Sequence, residues 1–198
     1  MNYEYGELIL WYDFYYQITN FGEVYTMINS YQAALRFIHG RTQFKKIPTL
    51  DRMRRFLAEL GNPQDGLTYI HVTGTNGKGS TVAMVREMLL MQGLTVGTFT
   101  SPFITRFNER IQYDGYPISD DDLVRITNRV AAVVAKLDEE LPEGGPTEFE
   151  IDTAIMFCYM AEKKPDVVVL EVGIGGLYDS TNVIVPAVSA ITTVGWDH

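Results

Sequence analysis

The sequence predicts an α/β fold, a mostly parallel sheet flanked by helices. Three observations predict it. An extended apolar segment at 67–73 runs into Gly74-Thr75-Asn76-Gly77-Lys78-Gly79-Ser80, and a helical segment at 81–92 runs out. A second apolar, β-branched segment follows at 94–100, so strand, helix and strand succeed one another as in a parallel βαβ unit. Residues 166–172 read Asp-Val-Val-Val-Leu-Glu-Val, the near-continuous β-branched run of a central strand buried on both faces.

The elements follow in order. Residues 1–26 are crowded with aromatics (Tyr3, Tyr5, Trp11, Tyr12, Phe14, Tyr15, Tyr16) and carry no lysine or arginine. Their segment 11–18 reads equally as helix or strand. A more regular sequence opens at Met27, so 1–26 are read as an extension, with Met27 the expected natural start, and 27–198 as one domain. Ser30 caps a helix through His39, with Ala34, Leu35 and Ile38 on one face and Gly40 ending it. Thr49 is expected to cap a second helix, with Leu50, Met53, Leu57 and Leu60 at helical spacing and Gly61-Asn62-Pro63 as the stop. Between them, 41–46 (Arg-Thr-Gln-Phe-Lys-Lys) reads as a solvated basic loop. Residues 101–115 are expected to be one long irregular loop, a length that usually signals function. Ser119 caps the next helix, to about Leu137, and Asp120, Asp121 and Asp122 suit its positive end better than a metal cluster. After a Pro/Gly turn at 141–146, Thr147 and Glu150 have capping-box spacing, which accounts for both without a catalytic role. A last strand is expected at 188–194.

Composition excludes several classes. The net charge is −9 with no long basic run, so neither nucleic acid nor an anionic membrane surface is an expected partner. No window is apolar enough to span a membrane, and Glu4, Glu7 and Asp13 stand where a secretory signal needs positive charge. Cys158 is the single cysteine, so no internal disulfide forms, and its apolar helical setting reads as a small buried side chain. A cytoplasmic monomer is expected.

The chemistry converges on one sheet edge. Gly74, Gly77 and Gly79 let the backbone approach a ligand, and the helix that follows offers N–H groups and a positive dipole end to phosphate. Lys78 adds positive charge, and the Ser80 hydroxyl can ligate a hard cation such as Mg2+. The full phosphate-loop spacing is not met, because the position five before Gly77 is Val72. Glu171 stands near the carboxyl end of the buried run, where a charge is costly unless paired or bound to a cation. The Gly173-Ile174-Gly175-Gly176 that follows lacks the dinucleotide spacing. In the 101–115 loop, Arg106 and Arg110 suit an anionic substrate, and Phe103 and Phe107 suit a flat ring or the core. These features and His198 all lie at or beyond the carboxyl ends of predicted parallel strands, the edge where open α/β sheets bind ligands. Ser80, Glu171 and His198 are therefore candidate ligands for magnesium on a triphosphate, although imidazole is not preferred by so hard a cation and His198 reads equally as a bystander.

Residues 27–198 resemble the amino-terminal part of the folylpolyglutamate synthases, the folate branch of the Mur ligase superfamily. The motifs that carry the resemblance are His71-Val-Thr-Gly-Thr-Asn-Gly-Lys-Gly-Ser80, Thr100-Ser-Pro-Phe-Ile-Thr-Arg-Phe-Asn-Glu-Arg-Ile111, Glu171-Val-Gly-Ile-Gly-Gly176, Asp179-Ser-Thr-Asn182 and Asp197-His198. The resemblance implies a P-loop-containing, Mur-ligase-type ATPase domain and an ATP-dependent ligase. In that chemistry a folate carboxylate takes the γ-phosphoryl group of ATP, and the amine of L-glutamate displaces phosphate from the acyl phosphate. Carried over to this chain, Gly74, Thr75, Asn76, Gly77, Lys78, Gly79 and Ser80 would bind the nucleotide. Lys78 would stabilise the transferred group, and Ser80, Glu171 and His198 would hold Mg2+. Ser101, Pro102, Phe103, Arg106 and Arg110 would contact folate. Leu177 and Tyr178 stand where the family has a basic residue after its paired glycines, so that contact is not expected here. The resemblance also implies further sequence beyond the Asp-His pair, so the chain is read as part of an ATP-binding domain and as inactive by itself. Two other readings stay open: a nucleotide-binding module without catalysis, and a ligase acting on a cell-wall precursor.

Overall fold

The computed structural model describes residues 27–42, 49–142 and 144–195. The readings made for 1–26, for most of the 41–46 loop and for His198 lie outside them.

The described residues form five helices and six strands. Helices α1 (Tyr31–His39) and α2 (Asp51–Glu59) precede strand β1 (Tyr69–Thr73), helix α3 (Lys78–Met91) and strand β2 (Val96–Phe99). A 3-10 turn at Phe107–Arg110 leads into β3 (Ile111–Tyr113) and β4 (Tyr116–Pro117). Helices α4 (Asp120–Glu140) and α5 (Glu148–Lys163) and strands β5 (Val167–Glu171) and β6 (Val188–Ile191) complete the order. The sheet runs β4-β3-β2-β5-β1-β6. β2, β5, β1 and β6 are mutually parallel, while β3 turns back antiparallel on β2 and β4 on β3.

Strand periodicity sorts the side chains into two cores. Tyr69, Phe99, Val168 and Leu170 point to the face covered by α1, α2, α4 and α5, where they join Met53, Phe56, Ile126 and Met156 in the main cluster. Val72, Val96 and Val169 point the other way and pack on Val82 of α3, with Val85 and Leu89 beside them. α5 is buried from Glu150 to Met160, and it packs against α4, α1 and α2. It approaches β2 so closely that a Cβ on Gly97 would lie 2.4 Å from the Met160 sulfur.

The βαβ unit is parallel as expected, but β1 and β2 are not neighbours: β5 inserts between them. The 101–115 stretch is not one irregular loop. Its second half forms the 3-10 turn, β3 and the turn that leads into β4, and Ile111 and Ile118 on either side of that hairpin are buried. Ser30, Ser119 and Thr147 cap their helices through side-chain oxygens. Thr49 is not the cap residue of α2. Leu50 holds that position without a side-chain bond, and Thr49 accepts from the Asp51 N–H at 3.1 Å instead. Arg41 is not a solvated loop charge either. It pairs with both oxygens of Asp138 and donates to the Pro146 carbonyl.

Glu150 does more than complete its capping box. Its Oε2 accepts from the Thr147 N–H and also from Arg52 Nε at 2.8 Å, in a buried ion pair that ties α2 to the start of α5. Removing one partner strands a buried charge, so Arg52→Ala is expected to destabilise the fold by about 3–5 kcal/mol. Replacing both partners with apolar residues of similar size is expected to cost much less, and urea unfolding of the two variants measures the difference.

Candidate nucleotide site

The glycine loop sits where β1 hands over to α3. Gly74 has φ 136° and Gly77, the residue before the helix, has φ 83°. Gly74 also lacks room for a side chain, since a Cβ there would lie 2.1 Å from Thr192 Oγ1. The crowding arises because the segment after β6 is stitched to the loop. Thr75 and Asn76 donate their N–H groups to the Thr193 carbonyl (2.9 Å) and Thr193 Oγ1 (3.0 Å), and Gly195 donates to Thr75 Oγ1 at 3.0 Å. α3 therefore begins at Lys78, earlier than the sequence reading. Its first intrahelical bond runs from Thr81 N to Gly77 O, so the N–H groups of Lys78, Gly79 and Ser80 precede the ladder and form the positive helix end. The N–H groups of Thr75 and Asn76 are committed to Thr193, which leaves the later half of the loop as the part that could meet an anion. Lys78 folds back over that half, its ammonium donating to the Gly74 carbonyl at 2.7 Å.

Glu171 ends β5 on the α3 face of the sheet. It is 5% exposed, and its carboxylate lies under Gly79, where a Cβ would sit 3.5 Å from Oε2. Burial raises its pKa, while the Ser101 and Gly79 N–H groups and the Lys78 charge oppose the rise. The Ser101 N–H donates to Oε2 at 3.0 Å. That bond joins the end of β5 to the loop after β2, its neighbour in the sheet. Three predicted regions are thus brought together: the glycine loop, Glu171 and the start of the Ser101 loop. Their donors, a buried carboxylate and the exposed Ser80 hydroxyl, are hard oxygens. Such a set fits magnesium, which takes one or two carboxylates and completes its shell with phosphate oxygens and water. Among the described residues no cluster of three or more His, Cys, Asp or Glu could by itself hold a metal.

The Ser101 loop is shaped by Glu109, which the sequence reading passed over. Its carboxylate accepts from the N–H groups of Ile104, Thr105 and Arg106, and these bonds hold its pKa down. Its place three residues after Arg106 is the capping spacing that signals such a contact. The loop's arginines differ. Arg106 is exposed, one terminal nitrogen donating to both Asp120 oxygens at 2.9 and 3.0 Å, and its guanidinium lies over the Tyr31 ring. Arg110 is turned inward between Phe103 and Phe107, 5.3 and 5.6 Å from their ring centres. Asp179 organises the glycine turn after β5. It accepts from the Ile174 N–H and from Thr181, whose hydroxyl meets the buried His71 ring at 2.7 Å. Burial pushes the His71 pKa down, with Asp179 opposing. Leu177 and Tyr178 are exposed beside this turn. Cys158 lies fully buried in α5, its thiol pushed up to about 11, as a packing residue rather than a nucleophile.

The Mur ligase middle domain, as a family model, matches residues 72–198, which takes in the glycine loop, the Ser101 loop and Glu171. The chain belongs to the Mur ligase family. Among relatives of this Mur ligase chain, the dihydrofolate synthase/folylpolyglutamate synthase of Bacillus subtilis is 50% identical over 173 residues, 87% of this chain and 40% of that protein. The folylpolyglutamate synthase of Lacticaseibacillus casei is 46% identical over 169 residues, 85% of this chain and 40% of that protein. A solved FPGS–AMPPCP–folate complex superposes with a TM-score of 0.82 at 46% identity, covering 86% of this chain and 42% of that one. The chain thus spans about 40% of the length of these two curated relatives.

Gly74→Ala is expected to push the 192–195 segment off the loop, because the new methyl meets both Thr192 and the Thr193 backbone. Faster hydrogen exchange at Thr75 and Asn76, with a loss of nucleotide affinity of at least about tenfold, is the expected outcome.

Proposed function

We propose that this chain is the ATP- and folate-binding part of a ligase that adds L-glutamate to the γ-carboxylate of a folate. The observation that supports it most strongly is the placing of a buried carboxylate, Glu171, between a helix-start phosphate cradle and the Ser101 loop. The relatives' names supply the substrate: folylpolyglutamate synthases, one of them solved with both AMPPCP and folate.

In this reading the triphosphate lies against the start of α3, where the N–H groups of Lys78 and Ser80 precede the helical ladder and that of Gly79 reaches Glu171. Lys78 leaves the Gly74 carbonyl and moves to the γ-phosphoryl group, where positive charge is worth most as the transfer proceeds. Ser80 and Glu171, with His198 from beyond the described residues, would hold magnesium, which when bound supplies further positive charge to the phosphate oxygens. Phe103 and Arg110 present a flat apolar surface and a cation to the folate, with Ser101 and Pro102 at the loop's root. Arg106 is already satisfied by Asp120, so of the two arginines Arg110 is the better substrate contact. The folate carboxylate oxygen attacks the γ-phosphorus and releases ADP. The glutamate amine then attacks the acyl carbon, and phosphate departs.

The test is ADP formation by the whole ligase, the chain together with the remainder its relatives have, from ATP and magnesium with tetrahydrofolate and L-glutamate added singly and together. ADP release that needs both is expected, and release stimulated by a muramyl peptide but not by folate would contradict the reading. Lys78→Ala is expected to lower the phosphoryl-transfer rate by about 100-fold or more while the thermal unfolding midpoint stays near wild type. A near-normal rate would remove Lys78 from the chemistry.

A further inference from the structure

Asp152 is an acidic residue that neither the fold nor the proposed chemistry uses. It lies in the second turn of α5, 1% exposed, and neither of its carboxylate oxygens accepts a hydrogen bond from the described residues. A buried carboxylate left in that state costs several kcal/mol unless something compensates. Its nearest cation is Arg110, whose Nε stands 3.8 Å from Oδ2, too far for a hydrogen bond and close enough for strong coulombic coupling. Arg110 Nε is itself buried without a hydrogen-bond partner. The guanidinium is otherwise held by the faces of Phe103 and Phe107. No hydrogen bond among the described residues reaches its terminal nitrogens, so the fork that recognises a carboxylate is left for a ligand.

We propose that Asp152 is a positioning residue that competes with the substrate carboxylate for the charge of Arg110, so that the substrate binds best when Asp152 holds a proton. The proposal rests on the reading of the Ser101 loop as the folate-contacting segment. When Asp152 is ionised, the pair is neutral and an incoming anion meets two charges that nearly cancel. When Asp152 is protonated, the full Arg110 charge faces the ligand. The surroundings favour the proton. Burial pushes the Asp152 pKa up to about 7, Arg110 opposes this, and Glu148 on the same helix adds to it. From α1, His39 reaches Glu148 through Nδ1 at 2.8 Å and holds that carboxylate near the cluster. The linkage also has a sign for stability. A buried acid whose folded pKa is raised destabilises the fold as pH climbs from about 4 to about 7.

The probe is p-aminobenzoyl-L-glutamate, whose carboxylates stay ionised across the pH range used. Calorimetric titration of the whole chain at about pH 6 and about pH 8.5 is expected to show about tenfold weaker binding at the higher pH, with proton uptake on binding between them. Asp152→Asn is expected to bind equally at both pH values, near the tighter wild-type affinity, and to gain thermal stability over wild type as pH rises. Asp152→Ser, smaller and uncharged, is expected to abolish the pH dependence in the same way. Variants that keep the wild-type pH dependence, or bind more weakly than wild type at both pH values, would overturn the role of Asp152 while leaving the loop reading intact. Arg110→Ala is expected to lose binding at both pH values. Unchanged binding by that variant, or no binding by wild type, would overturn the loop reading and the proposal with it.

Discussion

Glu171 is the constraint on which the site depends. It closes a strand that is otherwise Val-Val-Val-Leu, lying between β2 and β1 and covered on both faces. A carboxylate in such a place is unfavourable unless its charge is used. Strand alternation sends it to the α3 face, and the register sets it opposite Val72, at the end of β1 where the glycine loop begins. The Ser101 N–H from the loop after β2, and the Gly79 N–H and Lys78 from the start of α3, then surround it. The loops meet here because the strands that carry them are adjacent in the order β2-β5-β1.

That order also explains why the site needs distant sequence. β5 is contributed long after β1 and β2 but pairs with both, so the helical layer of α4 and α5 must form between them in the chain. The buried Arg52–Glu150 pair and the close approach of Met160 to Gly97 hold that layer in place. The layer in turn supports the far wall of the site. Phe107 and Phe149 pack beneath the Ser101 loop and the glycine turn respectively, and a Cβ at Gly173 would meet the Phe149 ring at 2.6 Å.

Much of this was legible in the residues. The place of the glycine loop, the caps Ser30, Ser119 and Thr147 and the central character of the 166–172 run each follow from local pattern and agree with the structure, whereas Thr49 does not cap α2 and α3 begins three residues early. What was hidden depends on pairing between distant segments. The insertion of β5 between β1 and β2 has no local signature. The Thr193 contacts that occupy the Thr75 and Asn76 N–H groups come from residues that read only as the end of a strand. The β3–β4 hairpin was masked because Ile111 to Pro117 is short and interrupted by Asp114-Gly115. Asp152 was overlooked because it follows Glu148 and Glu150 at the helix start, where an acid suits the positive dipole end, and only the structure shows that it is buried beside Arg110.

In the proposed site Glu171 would serve a cation on a bound triphosphate. Calorimetric titration of the chain with a non-hydrolysable ATP analogue, with and without magnesium, measures this directly for wild type and Glu171→Gln. Magnesium is expected to tighten binding to wild type by about tenfold or more and to leave the Glu171→Gln affinity near its metal-free value. An unchanged magnesium effect in a folded Glu171→Gln variant would contradict it.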